Sequence, residues 1–223
     1  MKLNTLLFAT LVIGLSLSSC KKNNQDGSIH YQLKATNPTA SFRKATTGST
    51  TAARLNGTLT WNSGFVNATE IKFEAKYNSS EIEYKSKAQQ RIDLFSSLSA
   101  LGSITLPPGA YKEVEFKIET TPASNEPSLE LRGTYNGIPV ILRVDNAFEF
   151  KAEKEGVDIT ESNGYTAVTN LNLALLTQGI TDADLTNAVQ TNGQVIISTT
   201  SNSNLFAKLL DSLGECESEF EKD

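Results

Sequence analysis

Hydrolysis by paired carboxylates is the enzymatic chemistry this sequence leaves open, because a glycosidase needs only two Asp or Glu side chains at a fixed separation. Glu113 with Glu115, and Glu149 with Glu153, are the candidates by proximity along the chain. Both pairs alternate with apolar residues, Val114 and Phe116 in one case and Phe148 and Phe150 in the other. That is the pattern of a half-buried strand, and it places the carboxylates on a solvated outer face. His30 is the single histidine and lies between Ile29 and Tyr31; a histidine catalyst needs partners within reach in a cleft, so a solvent-facing strand residue is expected here. Trp61, the single tryptophan, would stack on a sugar if exposed, but its phase with Leu55 and Leu59 predicts core packing. Asp182 and Asp184 offer oxygens of the kind calcium takes. The run Thr181-Asp182-Ala183-Asp184 has the form of a capping box, which already gives Asp184 a task. No Gly-x-Ser-x-Gly, His-Glu-x-x-His or Gly-rich phosphate loop occurs. No catalytic residue, metal or cofactor is therefore expected.

Composition narrows the classes further. The chain has 223 residues, 20 basic against 25 acidic, and a formal charge of -5. With no long Lys/Arg run it lacks the clustered positive charge that nucleic acid requires. One His and two Cys exclude a His-rich zinc site and a disulfide-stapled fold. The second cysteine, Cys216, sits in an acidic tail and is expected to be a free thiol.

At the N-terminus, Lys2 precedes an apolar stretch from Leu6 to Leu17, the make-up of a secretory signal peptide and too short for a spanning helix. Leu17-Ser18-Ser19-Cys20 follows and resembles the lipobox of bacterial lipoproteins. The resemblance implies cleavage before Cys20, lipidation of its thiol and acylation of the new amino group. Each buried methylene adds about 0.8 kcal/mol, so several acyl chains on Cys20 would hold a membrane firmly. Lys21 stands where the best-known sorting rule puts Asp for inner-membrane retention, which points to the outer membrane. The expected organisation is 1–19 signal peptide, 20–27 lipidated Cys and flexible tether, 28–214 β-sandwich, and 215–223 a frayed acidic tail.

The elements that must position these residues read as β. Period-two runs include Ile29/Tyr31/Leu33, Leu55 to Trp61, Ile71/Phe73/Ala75, Val114/Phe116/Ile118, Leu129 to Tyr135, Val140/Leu142/Val144 and Phe148/Phe150. Asn62-Ser63-Gly64 reads as a turn, and Asn136-Gly137 is a strong hairpin signal. Pro139 argues that the returning strand is an edge or begins irregularly. Asn37 to Ala53 reads as a long loop. In Pro107-Pro108-Gly109, Pro108 fixes φ and Gly109 is expected at positive φ. Leu171/Leu173/Leu175 suggests a strand, whereas the capping box and the Leu205/Phe206/Leu209/Leu213 spacing each predict a short helix.

Trp61-Asn62-Ser63-Gly64, Ile92-Asp93-Leu94, Leu106 to Tyr111 and the final helix, taken in order, resemble a group of bacterial lipoproteins carrying a β-sandwich domain of unknown function. The Pro-Gly-x-Tyr segment is similar to that of transthyretin-like and carboxypeptidase-regulatory-like modules. The resemblance implies a cell-envelope setting and no named catalytic residues. Asp211-Ser212-Leu213 also resembles a short O-glycosylation acceptor. The expected fold is mainly β, an antiparallel β-sandwich with two short C-terminal α-helices. The expected function is a lipid-anchored envelope protein, non-enzymatic, that binds a protein or glycan partner through its loops, Asn37–Ala53 first and Thr121–Ser128 second. A carbohydrate-active protein using carboxylates and Trp61 is the alternative.

Overall fold

Alternation along the chain becomes burial in the folded domain: Ile29, Tyr31 and Leu33 are buried, while His30 between them is exposed. The structure, a computed structural model, describes residues 26–42, 57–77, 80–87, 89–96, 100–160, 164–213 and 217–222. In chain order the elements are β1 (Gly27–Thr36), β2 (Thr39–Phe42), β3 (Gly57–Tyr77), β4 (Ser80–Ser86), β5 (Gln90–Asp93), β6 (Ala100–Leu106), β7 (Gly109–Thr120), β8 (Leu129–Tyr135), β9 (Ile138–Val144), β10 (Phe148–Ile159), β11 (Gly164–Asn172), α1 (Leu173–Leu176), α2 (Asp182–Thr186), β12 (Gln190–Thr191), β13 (Gln194–Ile197), α3 (Ser203–Leu213) and β14 (Glu217–Lys222).

The architecture is a mainly β sandwich. One sheet has the order β14-β11-β1-β6. The larger sheet is organised on β3, a 21-residue strand. One edge of β3 is taken in turn by β4, β5 and β2, and the opposite edge by β7 and then β8. Outside β7 lies β10, and outside β8 lie β9, β13 and β12. Pairing is antiparallel except for β1 with β11 and β9 with β13. Across the two sheets Tyr31 stacks on Phe116 with ring centroids 4.4 Å apart. The helices lie toward the other end: α1 packs on α3 and β2, and α3 packs on β13.

Several local expectations hold for their stated reasons. Asn136 and Gly137 both take positive φ, 49° and 86°, the type I′ geometry that closes Tyr135 onto Ile138. β9 is not an edge strand, since it lies between β8 and β13, but Pro139 falls one residue before the pairing with β13 begins at Val140, where its missing N–H costs no ladder bond. Thr181 and Asp184 form the capping box of α2. Leu205, Phe206, Leu209 and Leu213 bury one face of α3.

Others are corrected. Asn62-Ser63-Gly64 is not a turn: β3 runs straight through, and the register with β8 shifts between Trp61 and Ser63, so the extra residue is absorbed as a bulge. Part of the Asn37–Ala53 loop is strand β2, which pairs along Gly57–Thr60 and buries Phe42 against Tyr135. Residues 43–56 lie outside the described set. Leu173–Leu176 is helix α1, giving three helices among the described residues, because the Asn172 side chain accepts from the N–H groups of Ala174 and Leu175 and caps a turn there. Gly109 does not take positive φ; glycine is needed because a Cβ would stand 2.4 Å from the Tyr77 ring. The acidic tail supplies β14, which pairs along β11 from Glu217 to Lys222.

Candidate functional site

Two places gather charged side chains, and the strand register builds the first. Cross-strand partners share a face, so β4, β3, β7 and β10 carry a row of lysines, Lys85-Lys72-Lys117-Lys151. Beside it runs a row of glutamates, Glu83-Glu74-Glu115-Glu153. Like charges directly opposite one another repel. Contacts between the rows offset this: Lys151 lies 2.6 Å from Glu115 and 2.8 Å from Glu153, Lys85 2.5 Å from Glu83, and Lys117 pairs with Glu115.

Glu115 is the centre of this lattice and is only 6% exposed. Burial pushes its carboxyl up, but hydrogen bonds from Lys117 and Lys151 outweigh burial and hold it at about 2. Lys151 is raised in turn, by its hydrogen bonds to Glu115 and Glu153. Glu113, Glu115 and Glu153 bring carboxylate oxygens within 4.8 Å of one another, a grouping that a divalent cation could use. Here lysine ammonium groups already fill that role, with Lys76 2.8 Å from Glu113 and Lys151 between the other two.

The expected carboxylate pairs are thus regrouped. Glu153 joins Glu115, whereas Glu149 faces Glu119 in another row. A glycosidase acid needs a raised carboxyl pKa, and Glu115 is shifted the opposite way. The outer face also differs from the sequence reading, because lysines cover Glu115 and exclude water from it.

The second place is a cleft of about 460 Å³ between β2 and the α1–α2 segment, lined by Thr39, Ser41, Phe42, Thr177, Gln178 and Asp182 among others. Asp182 is 8% exposed and accepts a 2.5 Å hydrogen bond from the Tyr135 hydroxyl at Oδ1. Burial and then this carboxylate push the Tyr135 phenol up. Asp184 points elsewhere: it accepts from Thr181 and, at 2.7 Å, from Lys208. The Lys208 hydrogen bond holds its carboxyl below the usual range. The two aspartates therefore serve different partners and do not form a calcium site together.

The remaining candidates fall into place individually. His30 is exposed on β1, and its ring Nε2 lies 3.5 Å from Ser28 Oγ. Trp61 is 2% exposed and presents no ring face to a sugar. Ser212 is buried on α3, so its hydroxyl is not offered as a glycosylation acceptor. Thr121–Ser128 is a compact turn in which Ala123 and Glu126 bond each other's backbones in both directions, at 3.0 and 2.7 Å. Cys20 and Cys216 lie outside the described residues. The Pro-Gly-x-Tyr segment has a structural task, because the Tyr111 hydroxyl donates to the Pro107 carbonyl at 2.8 Å and locks the turn into β7. No protein-family model, curated protein or solved structure matches the chain.

Proposed function

We propose that this is a lipid-anchored protein of the bacterial cell envelope, held in the outer membrane by acyl chains on Cys20, whose domain binds a macromolecular partner and performs no catalysis. The observation that carries the reading is Leu17-Ser18-Ser19-Cys20 at the end of an apolar leader, followed by the polar run Lys21 to Asp26 and then at once by β1 at Gly27. A lipid there leaves only a short tether before the domain, which keeps the sandwich close to the membrane surface. The binding half draws support from the chemistry of the carboxylates. Those on the sheet face are neutralised by lysines and suit a fixed surface, while the cleft beside β2 is concave and half polar, as ligand sites are.

Growth with an alkyne-bearing palmitate tests the anchor. The wild type is expected to incorporate label and fractionate with outer membranes, and Cys20→Ala to do neither. An unlabelled wild type would overturn the anchor. Protease treatment of intact cells then reports the leaflet: a shaved domain faces outward, and a protected one faces the periplasm.

A further inference from the structure

Beyond β3 the larger sheet ends, on one side, in β4. This 7-residue strand pairs with Ile71–Tyr77 without a register shift, and no strand pairs with its other edge among the described residues. The outer edges of β6 and β10 differ, because each is interrupted by a glycine at positive φ, Gly102 at 145° and Gly156 at 64°, and an irregular edge pairs poorly. The helices pack on β1, β2, β11 and β13. Glu74, which β4 meets at Glu83, is about 50 Å along β3 from Gly57, whereas residues 43–56, held at Phe42 and Gly57, extend about 25 Å at most. Residues 97–99, between Ser96 and β6, are too few to pair along β4.

The edge carries a pattern that matches itself. In Glu81-Ile82-Glu83-Tyr84-Lys85-Ser86-Lys87, acids and bases stand symmetrically about Tyr84. An antiparallel pair of such strands centred on Tyr84 sets Glu83 against the second copy's Lys85 and Glu81 against its Lys87, so that only opposite charges meet. Centring on Ile82 instead sets Glu81 against Glu83, and centring on Ser86 sets Lys85 against Lys87. Centres at Glu83 or Lys85 set a charge against itself, and like charges directly opposite repel. A centre between two residues puts core-side residues opposite outer-face ones. Glu81, Glu83, Lys85 and Lys87 are all exposed, so each can take a second partner. Tyr84 lies on the core side of β4, opposite Phe73, yet is 48% exposed.

We propose that the free edge of β4 is a homodimer interface: two copies of the chain join their larger sheets by antiparallel pairing of β4 with β4 about a two-fold axis at Tyr84. The two Tyr84 rings meet at the axis and cover one another. That axis runs through the sheet, so both copies keep the smaller sheet, and with it the start of β1 at Gly27, on the same side. Two tethers can therefore enter one membrane. The inference goes beyond the anchor reading and does not rest on it, since the anchor fails only in the palmitate experiment.

The first test is sedimentation equilibrium of the full-length chain in detergent, where the wild type is expected to form dimers as its concentration rises. Glu83→Lys and Lys85→Glu each set like charges opposite one another and should weaken the dimer at least about tenfold. An equimolar mixture of the two variants, and the chain carrying both substitutions, should recover it, because opposite charges face each other again; recovery also shows that the variants fold. The second test fixes the register by oxidation of single-cysteine chains in a Cys20→Ser, Cys216→Ser background. Tyr84→Cys should give a disulfide-linked dimer, since residues opposed on the axis have Cα atoms about 5 Å apart. Ile82→Cys and Ser86→Cys should not, because each lies about 14 Å from its own copy along the strand. A wild type that stays monomeric overturns the interface. Association indifferent to the charge swaps, or cross-linking at Ile82→Cys or Ser86→Cys as efficient as at Tyr84→Cys, overturns the pairing of β4 with β4.

Discussion

Glu115→Gln keeps the side chain's shape and removes the charge held between Lys117 and Lys151. The carboxyl stands at about 2 against an ordinary 4.5, and a gap of about 2.5 at 1.36 kcal/mol each gives about 3.4 kcal/mol as a ceiling on what the ionised form contributes. The two lysine side chains are 23% and 45% exposed, so water screens the pairs and the expected loss is about 1–2 kcal/mol at pH 7. The sign follows from the direction of the shift. A folded pKa below the unfolded one stabilises above pH 4.5 or so, and that contribution disappears as pH falls toward about 2. Urea titrations read by Trp61 fluorescence, on wild type and variant at equal pH, should show a deficit at pH 7 that shrinks to about a quarter of its size by about pH 2.5. A variant as stable as wild type at pH 7, or a deficit of constant size down to the acid limit, would refute the claim that Lys117 and Lys151 set the state of Glu115.

Gly133→Ala should cost about 2–3 kcal/mol in urea titrations, because the new Cβ would stand 2.2 Å from the Thr60 carbonyl oxygen and 2.9 Å from Trp61 Cα, both backbone atoms that have little room to move. Gly137→Ala meets nothing within 4 Å, so only its positive φ should tell, at about 1 kcal/mol; equal losses at the two positions would contradict the close approach of β8 to β3. Tyr111→Phe removes the hydrogen bond to Pro107 and should lower stability by about 1 kcal/mol, read from a thermal melt. Iodide should leave Trp61 emission unquenched in the folded chain, and added oligosaccharides should not shift it; quenching would place the ring at the surface and reopen a sugar-stacking role.

What was legible in the sequence follows the range of the forces involved. The Asn136-Gly137 hairpin, the capping box of α2 and the buried stripe of α3 depend on neighbours within a few positions, and local chemistry reveals them. The α1 turn was hidden because Leu171/Leu173/Leu175 fits period two, and the deciding contact is one Asn172 side chain accepting two N–H groups. β2 offers only Ala40 and Phe42 as apolar residues and forms because β3 presents it an edge. The state of Glu115 was out of reach for a stronger reason: Lys151 meets it only through the pairing of β10 with β7. Asp182 depends likewise on Tyr135, 47 residues away. Carboxylates could be nominated from sequence, but which ones are neutralised is a property of register.

Register also explains how one long sheet takes two different covers. An extended residue directs its N–H and C=O to the same edge, and at Asn67 the N–H donates to the Ser128 carbonyl while the carbonyl accepts from the Thr121 N–H. β7 and β8 therefore follow one another along a single edge of β3, with Thr121–Ser128 looped out between them, and β10 and β9 part at the same level. Such a break strands polar groups inside the core, and three buried side chains satisfy them. Asn67 Nδ2 donates to Pro127 O at 2.8 Å, Thr120 Oγ1 to Phe148 O at 2.8 Å, and the single Ser128 hydroxyl hydrogen is shared between Val144 O and Asn146 O. Apolar residues at these points would leave carbonyls unpaired at about 1–3 kcal/mol each. With them in place the strands can change direction, so that the β7 half is covered by β1, through Tyr31 on Phe116, and the β8 half by helices, through Tyr135 on α2. The cleft beside β2 lies at the helical end because there the cover is a set of short helices and not a second sheet.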